Sequence, residues 1–84
     1  MAEKLTLNDG TEIDGHLIES GERLFLYMRG ITMKEAFDVL IDPENTKSIQ
    51  CERYGKKETV KGYKHLYSVT EEQNGMITAS LMKK

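Results

Sequence analysis

Apolar residues recur mostly at every second position. Lys4-Leu5-Thr6-Leu7 alternates as a strand does, and Arg23-Leu24-Phe25-Leu26-Tyr27-Met28-Arg29 is the strongest run of period two. Two Gly-bearing turns punctuate the pattern, Asn8-Asp9-Gly10 and Gln73-Asn74-Gly75. A one-residue slip moves every side chain of a strand to the other face, so burial tests the loop lengths. A three-residue Asn8-Asp9-Gly10 loop sets Leu7 against Thr11 and Leu5 against Ile13, all on one face. A two-residue loop turns Ile13 away. By the same test Gln73-Asn74-Gly75 pairs Val69 with Ala79 and Tyr67 with Leu81. A two-residue Ser20-Gly21 loop pairs Leu17 with Leu24 and brings Ile13 and Gly15 opposite Met28 and Leu26. Leu5, Leu7, Ile13, Leu17, Leu24, Leu26 and Met28 then share one apolar face, and Ile18, Phe25 and Tyr27 fall on the other.

One segment changes period. Thr32-Met33-Lys34-Glu35 reads as a capping box, in which the Thr hydroxyl takes an amide of the first turn and Glu35 reaches back. Met33, Ala36, Phe37, Leu40 and Ile41 follow at helical spacing, which predicts a helix over Thr32–Ile41 docked by that stripe. Pro43 disfavours helical geometry at Asp42 and ends it, and Asp42-Pro43-Glu44-Asn45 reads as a turn. Beyond it, Ser48 to Arg53 is strand-like and Glu58 begins the return. A Gly55-Lys56 loop pairs Cys51 with Val60 and Arg53 with Glu58. A bulge at Gly62-Tyr63 keeps Val60 on the same side as Tyr67 and Val69. The expectation is a single α+β domain over residues 1–84, mainly antiparallel sheet, in the order β-β-β-α-β-β-β, with one short helix packed on one sheet face.

Composition adds limits. Eighty-four residues bury a modest core, so oligomerisation is a natural source of added stability. No secretory signal pattern and no apolar run of membrane-spanning length is present. Cys51 is the single cysteine, which excludes an intrachain disulfide and a thiolate zinc cluster and fits a reducing cytoplasm. The net charge is −2, unevenly spread: residues 1–45 carry ten acids and four bases, residues 46–84 eight bases and four acids. That asymmetry suits self-complementary association or a basic face for a polyanion.

No catalytic constellation, cofactor motif or metal-ligand spacing stands out. His16 beside Asp14 lacks a third partner, and Cys51 sits mid-strand, where a thiol behaves as a small hydrophobe. The acidic turns lack the alternating oxygens of a calcium loop, and no Gly-rich phosphate cradle precedes the helix. Two surfaces remain. His16, Ile18, Phe25 and Tyr27 form a candidate interaction patch on the sheet face away from the helix. Arg29, Arg53, Lys56, Lys57, Lys61, Tyr63 and Lys64 form a candidate anion-binding set. Most of it lies in a 53–67 hairpin that interleaves lysines with tyrosines, as phosphate contact and base stacking would use. The acidity of the whole chain counts against nucleic acid.

The ordered string Leu7-x-Asp9-Gly10-Thr11, Leu24-Phe25-Leu26-Tyr27, Gly30-x-Thr32-Met33-x-Glu35-Ala36-Phe37, Asp42-Pro43-x-x-Thr46-x-x-Ile49 and Gly62-Tyr63-x-x-Leu66-x-x-Val69 resembles small proteins encoded in phages and prophages of Gram-positive bacteria. The resemblance runs from about Leu5 to Leu81 and supplies no catalytic residues. It implies a phage or prophage origin, hence virion assembly, host takeover or counter-defence. With the missing catalytic constellation, the two-sided sheet and the uneven charge, the expectation is a non-enzymatic, homo-oligomeric interaction module of phage structure or assembly, in the host cytoplasm or the virion, partnered by itself or by another phage or host protein. The alternative it implies is a counter-defence protein that blocks a host protein or sequesters a signalling nucleotide, a small anionic ligand. A third reading is nucleic-acid binding through residues 53–67.

The register makes Gly10 a backbone requirement rather than part of a ligand loop. Gly10→Ala should cost about 1 kcal/mol in chemical denaturation and leave binding unchanged.

Overall fold

A computed structural model describes residues 3–83. Its elements are β1 (Lys4–Thr6), β2 (Glu12–Ser20), β3 (Arg23–Arg29), α1 (Met33–Leu40), α2 (Pro43–Thr46), β4 (Ser48–Arg53), β5 (Lys56–Lys61), β6 (His65–Glu71) and β7 (Ile77–Met82). The fold is α+β, and all seven strands form one antiparallel sheet in the spatial order β5-β4-β1-β2-β3-β7-β6. The expected succession of strands, helix and strands is present. Its later half holds four strands, because the chain does not bulge at Gly62-Tyr63 but leaves β5 and crosses to the opposite edge of the sheet. Residues 53–67 are therefore no hairpin.

The Asn8-Asp9-Gly10 loop has the expected geometry. Leu5 pairs with Ile13, the Leu7 amide donates to Thr11, and Gly10 holds φ 92°. Asp9 accepts from the Thr11 amide, which holds its carboxyl below the usual range. Two other hairpins sit two residues away from the expected register. Ser20 pairs with Arg23, so Leu17 faces Leu26 and Gly15 faces Met28. Arg53 pairs with Lys56 around Tyr54-Gly55, so Cys51 faces Glu58 and Ile49 faces Val60. A shift of two preserves the facing of every side chain, so burial cannot detect it. At the last hairpin Val69 meets Ala79 as expected. The ladder then slips between Leu66 and Ser68, so Leu66 rather than Tyr67 pairs with Leu81.

The predicted apolar face is the core: Leu5, Leu7, Ile13, Leu17, Leu24, Leu26 and Met28 are buried, joined by Ile49, Cys51, Ile77, Ala79 and Leu81. Helix α1 packs on that face beside β6 and β7. Its capping box is complete, with Thr32 Oγ1 accepting the Glu35 amide at 3.1 Å and Glu35 Oε1 accepting the Thr32 amide at 3.0 Å. The apolar stripe does not dock whole. Ala36 and Leu40 are buried, whereas Met33, Phe37 and Ile41 stay exposed at 41, 47 and 47%. Asp42-Pro43 ends α1 and also starts α2, with Asp42 as its cap and Pro43 in its first turn. Asn45 then ties α1 to the first hairpin, donating to the Val39 carbonyl and accepting from the Asp9 amide.

Tyr63, in the crossover between β5 and β6, is fully buried. Its hydroxyl donates to Glu19 Oε2 at 2.6 Å, with the Gly21 carbonyl oxygen 3.0 Å away. The Glu19 carboxylate, with burial, pushes the phenol up to about 12. The folded state thus holds this proton more tightly than the unfolded chain. The resulting stability is complete below pH 10, the ordinary tyrosine value, and is lost as pH rises toward 12. Tyr63→Phe should lower stability by about 2 kcal/mol at neutral pH and flatten that alkaline decline in denaturation midpoints measured from pH 8 to 12.

Candidate functional site

The four residues of the expected outer patch lie together. His16 pairs with Tyr27 and Ile18 with Phe25 across β2 and β3. The imidazole and phenol rings stack with centroids 5.0 Å apart. Gly15 permits this closeness: a Cβ built there would lie 2.0 Å from the Tyr27 carbonyl oxygen. Of the four, only Ile18 is exposed, at 47%, while His16, Phe25 and Tyr27 are half-buried. The patch is small and largely packed against itself.

Glu3 organises the neighbouring charges. Its Oε2 accepts from Arg53 Nε at 2.9 Å, and its Oε1 lies 3.2 Å from His16 Nδ1 and 3.9 Å from an Arg29 terminal nitrogen. The Glu3 side chain is mostly buried, so this ion cluster joins the start of β1 to the ends of β3 and β4. Arg53 pairs with Lys56 rather than the expected Glu58, and it meets Glu3 because β1 runs antiparallel beside β4, with Lys4 opposite Glu52. No spacing in the sequence marks Glu3, whose partners lie 13 to 50 residues away.

The candidate anion-binding set is dispersed. Arg29 and Arg53 share Glu3, Lys56, Lys57 and Lys61 run along the edge strand β5, and Lys64 follows in the crossover. Tyr63 leaves the set, because its ring is in the core and its hydroxyl is committed to Glu19. A cleft of about 440 Å³ borders Arg29, but Glu12, Asp14, Glu35 and Asp38 line it too, a field that repels anions. Burial pushes the Cys51 thiol up, away from the thiolate a nucleophile requires. Among the described residues, no group of three or more His, Cys, Asp or Glu side chains is placed to hold a metal ion. No helix among them is long and apolar enough to cross a membrane.

An open apolar groove lies elsewhere. Met33 and Phe37 of α1, Ile41 capping its C-terminus, and Leu66, Tyr67 and Val69 of β6 line a groove of about 480 Å³. Tyr67 is 62% exposed, with the Arg23 guanidinium 4.6 Å from its ring centre. Beside the groove the β6 ladder slips at Tyr67, and α1 buries only Ala36 and Leu40. The helical stripe was visible in the sequence. Its exposed half was not, since that depends on where the helix sits over the sheet.

The fold defines a small α+β domain built on one open antiparallel sheet, with an apolar groove beside one of its free edges. Comparison with protein-family models, with curated proteins and with solved structures finds no match in any of the three.

Gly15→Ala should destabilise the domain by about 3 kcal/mol, well beyond Gly10→Ala. At Gly10 an added Cβ meets no atom within 4 Å, and only its backbone angle is strained. Paired urea titrations of the two variants check the order.

Proposed function

We propose that the chain is a non-enzymatic protein-interaction module of phage structure or assembly, and that it binds through the groove between α1 and β6. The exposed Met33, Phe37 and Ile41 stripe carries this reading. Three large apolar side chains at successive helical turns gain stability when water is removed from them, and the described residues leave each more than two-fifths exposed. Beside them runs β6, an edge strand whose outer side has no partner in the sheet. An edge strand next to an apolar groove offers backbone hydrogen bonds and side-chain pockets together, as strand-addition recognition uses. The phage context is supported by the sequence resemblance. The outer patch, being half-buried, offers less apolar area. A nucleotide-sequestering role gains little from Arg29, which Glu3 and the acids of its cleft already oppose.

The test is affinity capture of the tagged full chain from the producing cell, followed by mass spectrometry. Phe37→Glu should keep the fold, since the side chain is solvent-exposed, and should lose the polypeptides that the unaltered chain and Ile18→Ser retain. Retention by Phe37→Glu with loss by Ile18→Ser would move the site to the outer patch and refute the groove.

A further inference from the structure

Two loops of the chain share one geometry. In Asn8-Asp9-Gly10 the Leu7 amide donates to the Thr11 carbonyl at 2.8 Å, the Gly10 amide to the Leu7 carbonyl at 2.9 Å, and the Thr11 amide to Asp9 Oδ1 at 2.9 Å. In Gln73-Asn74-Gly75 the Glu72 amide donates to the Met76 carbonyl at 2.8 Å, the Gly75 amide to the Glu72 carbonyl at 3.0 Å, and the Met76 amide to Asn74 Oδ1 at 3.0 Å. Both glycines are left-handed, at φ 92° and 88°. Asp9 and Asn74 therefore hold equivalent positions, one as a carboxylate and the other as a carboxamide.

That difference is chemical, since asparagine is among the labile side chains. Asn74 is exposed and is followed by a glycine. Gly75 has no side chain to screen its nitrogen or to restrict its backbone, and a Cβ built there would meet no atom within 4 Å. The Gly75 nitrogen loses its proton, bonds to Asn74 Cγ and expels ammonia, leaving a cyclic imide. Water then opens the imide at either carbonyl. One opening gives aspartate, and the other gives isoaspartate, whose main chain runs through Cβ and Cγ. The sum is asparagine and water in, aspartate or isoaspartate and ammonia out. Asp9 is spared this attack, because hydrogen bonds from Thr11 keep its carboxyl ionised and so a poor electrophile. Asn8 precedes Asp9, and Asn45 is buried with both ends of its amide bonded.

Two surrounding features set the rate. The bond from the Gly75 amide to Glu72 ties up the attacking nitrogen, so reaction waits on local opening of the loop. Asn74, Gly75 and Met76 also share a cleft of about 280 Å³ with Arg29. Its guanidinium favours the negative charge that develops on the nitrogen, on the intermediate and on the product carboxylate.

We infer that Asn74 is a self-modification site, at which attack by the Gly75 nitrogen converts the folded chain to aspartate and isoaspartate forms, the second of which loosens the β6–β7 turn. Aspartate preserves the loop, as Asp9 shows in the equivalent one. Isoaspartate lengthens the main chain inside a loop whose length fixes the pairing of Val69 with Ala79, and it removes the acceptor of the Met76 amide. The inference is independent of what the groove binds.

The full chain, incubated at mildly alkaline pH and followed by peptide mass spectrometry, should deamidate at Asn74 ahead of Asn8 and Asn45. Unfolding in urea should speed the conversion. Arg29→Gln should slow it severalfold in the folded chain and leave the rate in urea unchanged, whereas mere loss of structure would speed it. The isoaspartate form, separated by ion exchange, should unfold at lower urea than the unaltered chain, and Asn74→Asp should match the unaltered chain. A folded chain that keeps Asn74 intact while the urea-unfolded chain converts, or that loses Asn8 or Asn45 first, would overturn the site. An isoaspartate form as stable as the unaltered chain would overturn the effect on the turn, and an undiminished rate in Arg29→Gln would overturn the part given to Arg29.

Discussion

Three residues, Gly62, Tyr63 and Lys64, must carry the chain from one edge of a seven-stranded sheet to the other. Four Cα steps span at most about 14 Å, whereas seven flat strands would be about 29 Å across. The sheet therefore has to curl until its edges approach. The molecule is accordingly near-isotropic, 29 × 28 × 24 Å. Curling turns one sheet face into an enclosed interior, where Leu24, Leu26 and Met28 of a central strand lose all contact with water. Tyr63 fixes the crossover from within: its ring fills core space, and its hydroxyl reaches Glu19 near the β2–β3 turn. The Lys83 ammonium, 5.3 Å from the ring centre, borders the same residue.

Curling without closing has a cost in edges. A closed barrel has none, but here β5 and β6 do not pair, and each keeps one free side. The helix lies on the inner face toward β6 and β7, so its apolar arc spills over that edge. The chain thus concentrates its solvated lysines at one margin and its uncovered apolar side chains at the other. Glu3 stabilises a third place, the start of β1, by gathering Arg29, Arg53 and His16 around one carboxylate.

What could be read in the sequence was facing, and what could not was distance. Leu5, Ile13, Leu17 and Leu26 declared their face because alternation is written locally. The turn at Gly10 was fixed because an error of one residue would have exposed Ile13. The hairpins at Gly21 and Tyr54 slipped by two because such an error exposes nothing, and Tyr54 adopts φ 52°, a turn conformation that a tyrosine does not advertise. Strand order was hidden because Lys61 and His65 look like neighbours in a single bulged strand. The groove was half visible: Met33, Phe37 and Ile41 belong to the helix stripe, but only the seating of α1 decides that Ala36 and Leu40 alone go under. Glu3 carried no signal, being one acid among fourteen.

The placement of β1 bears on how the chain matures during synthesis. This strand of three residues lies between β2 and β4, so the middle of the sheet is built from the first part of the chain and from a segment some forty residues later. The hairpins of β1, β2 and β3 emerge first, with both outer margins bare. Neither margin is filled until Ser48–Arg53 reaches β1 and Ile77–Met82 reaches β3. Long-range closure of this kind slows folding and leaves early strands exposed to wrong partners. A nascent copy is in that state beside other nascent copies on the same messenger, where an edge meant for β7 is open to the strand of a neighbour.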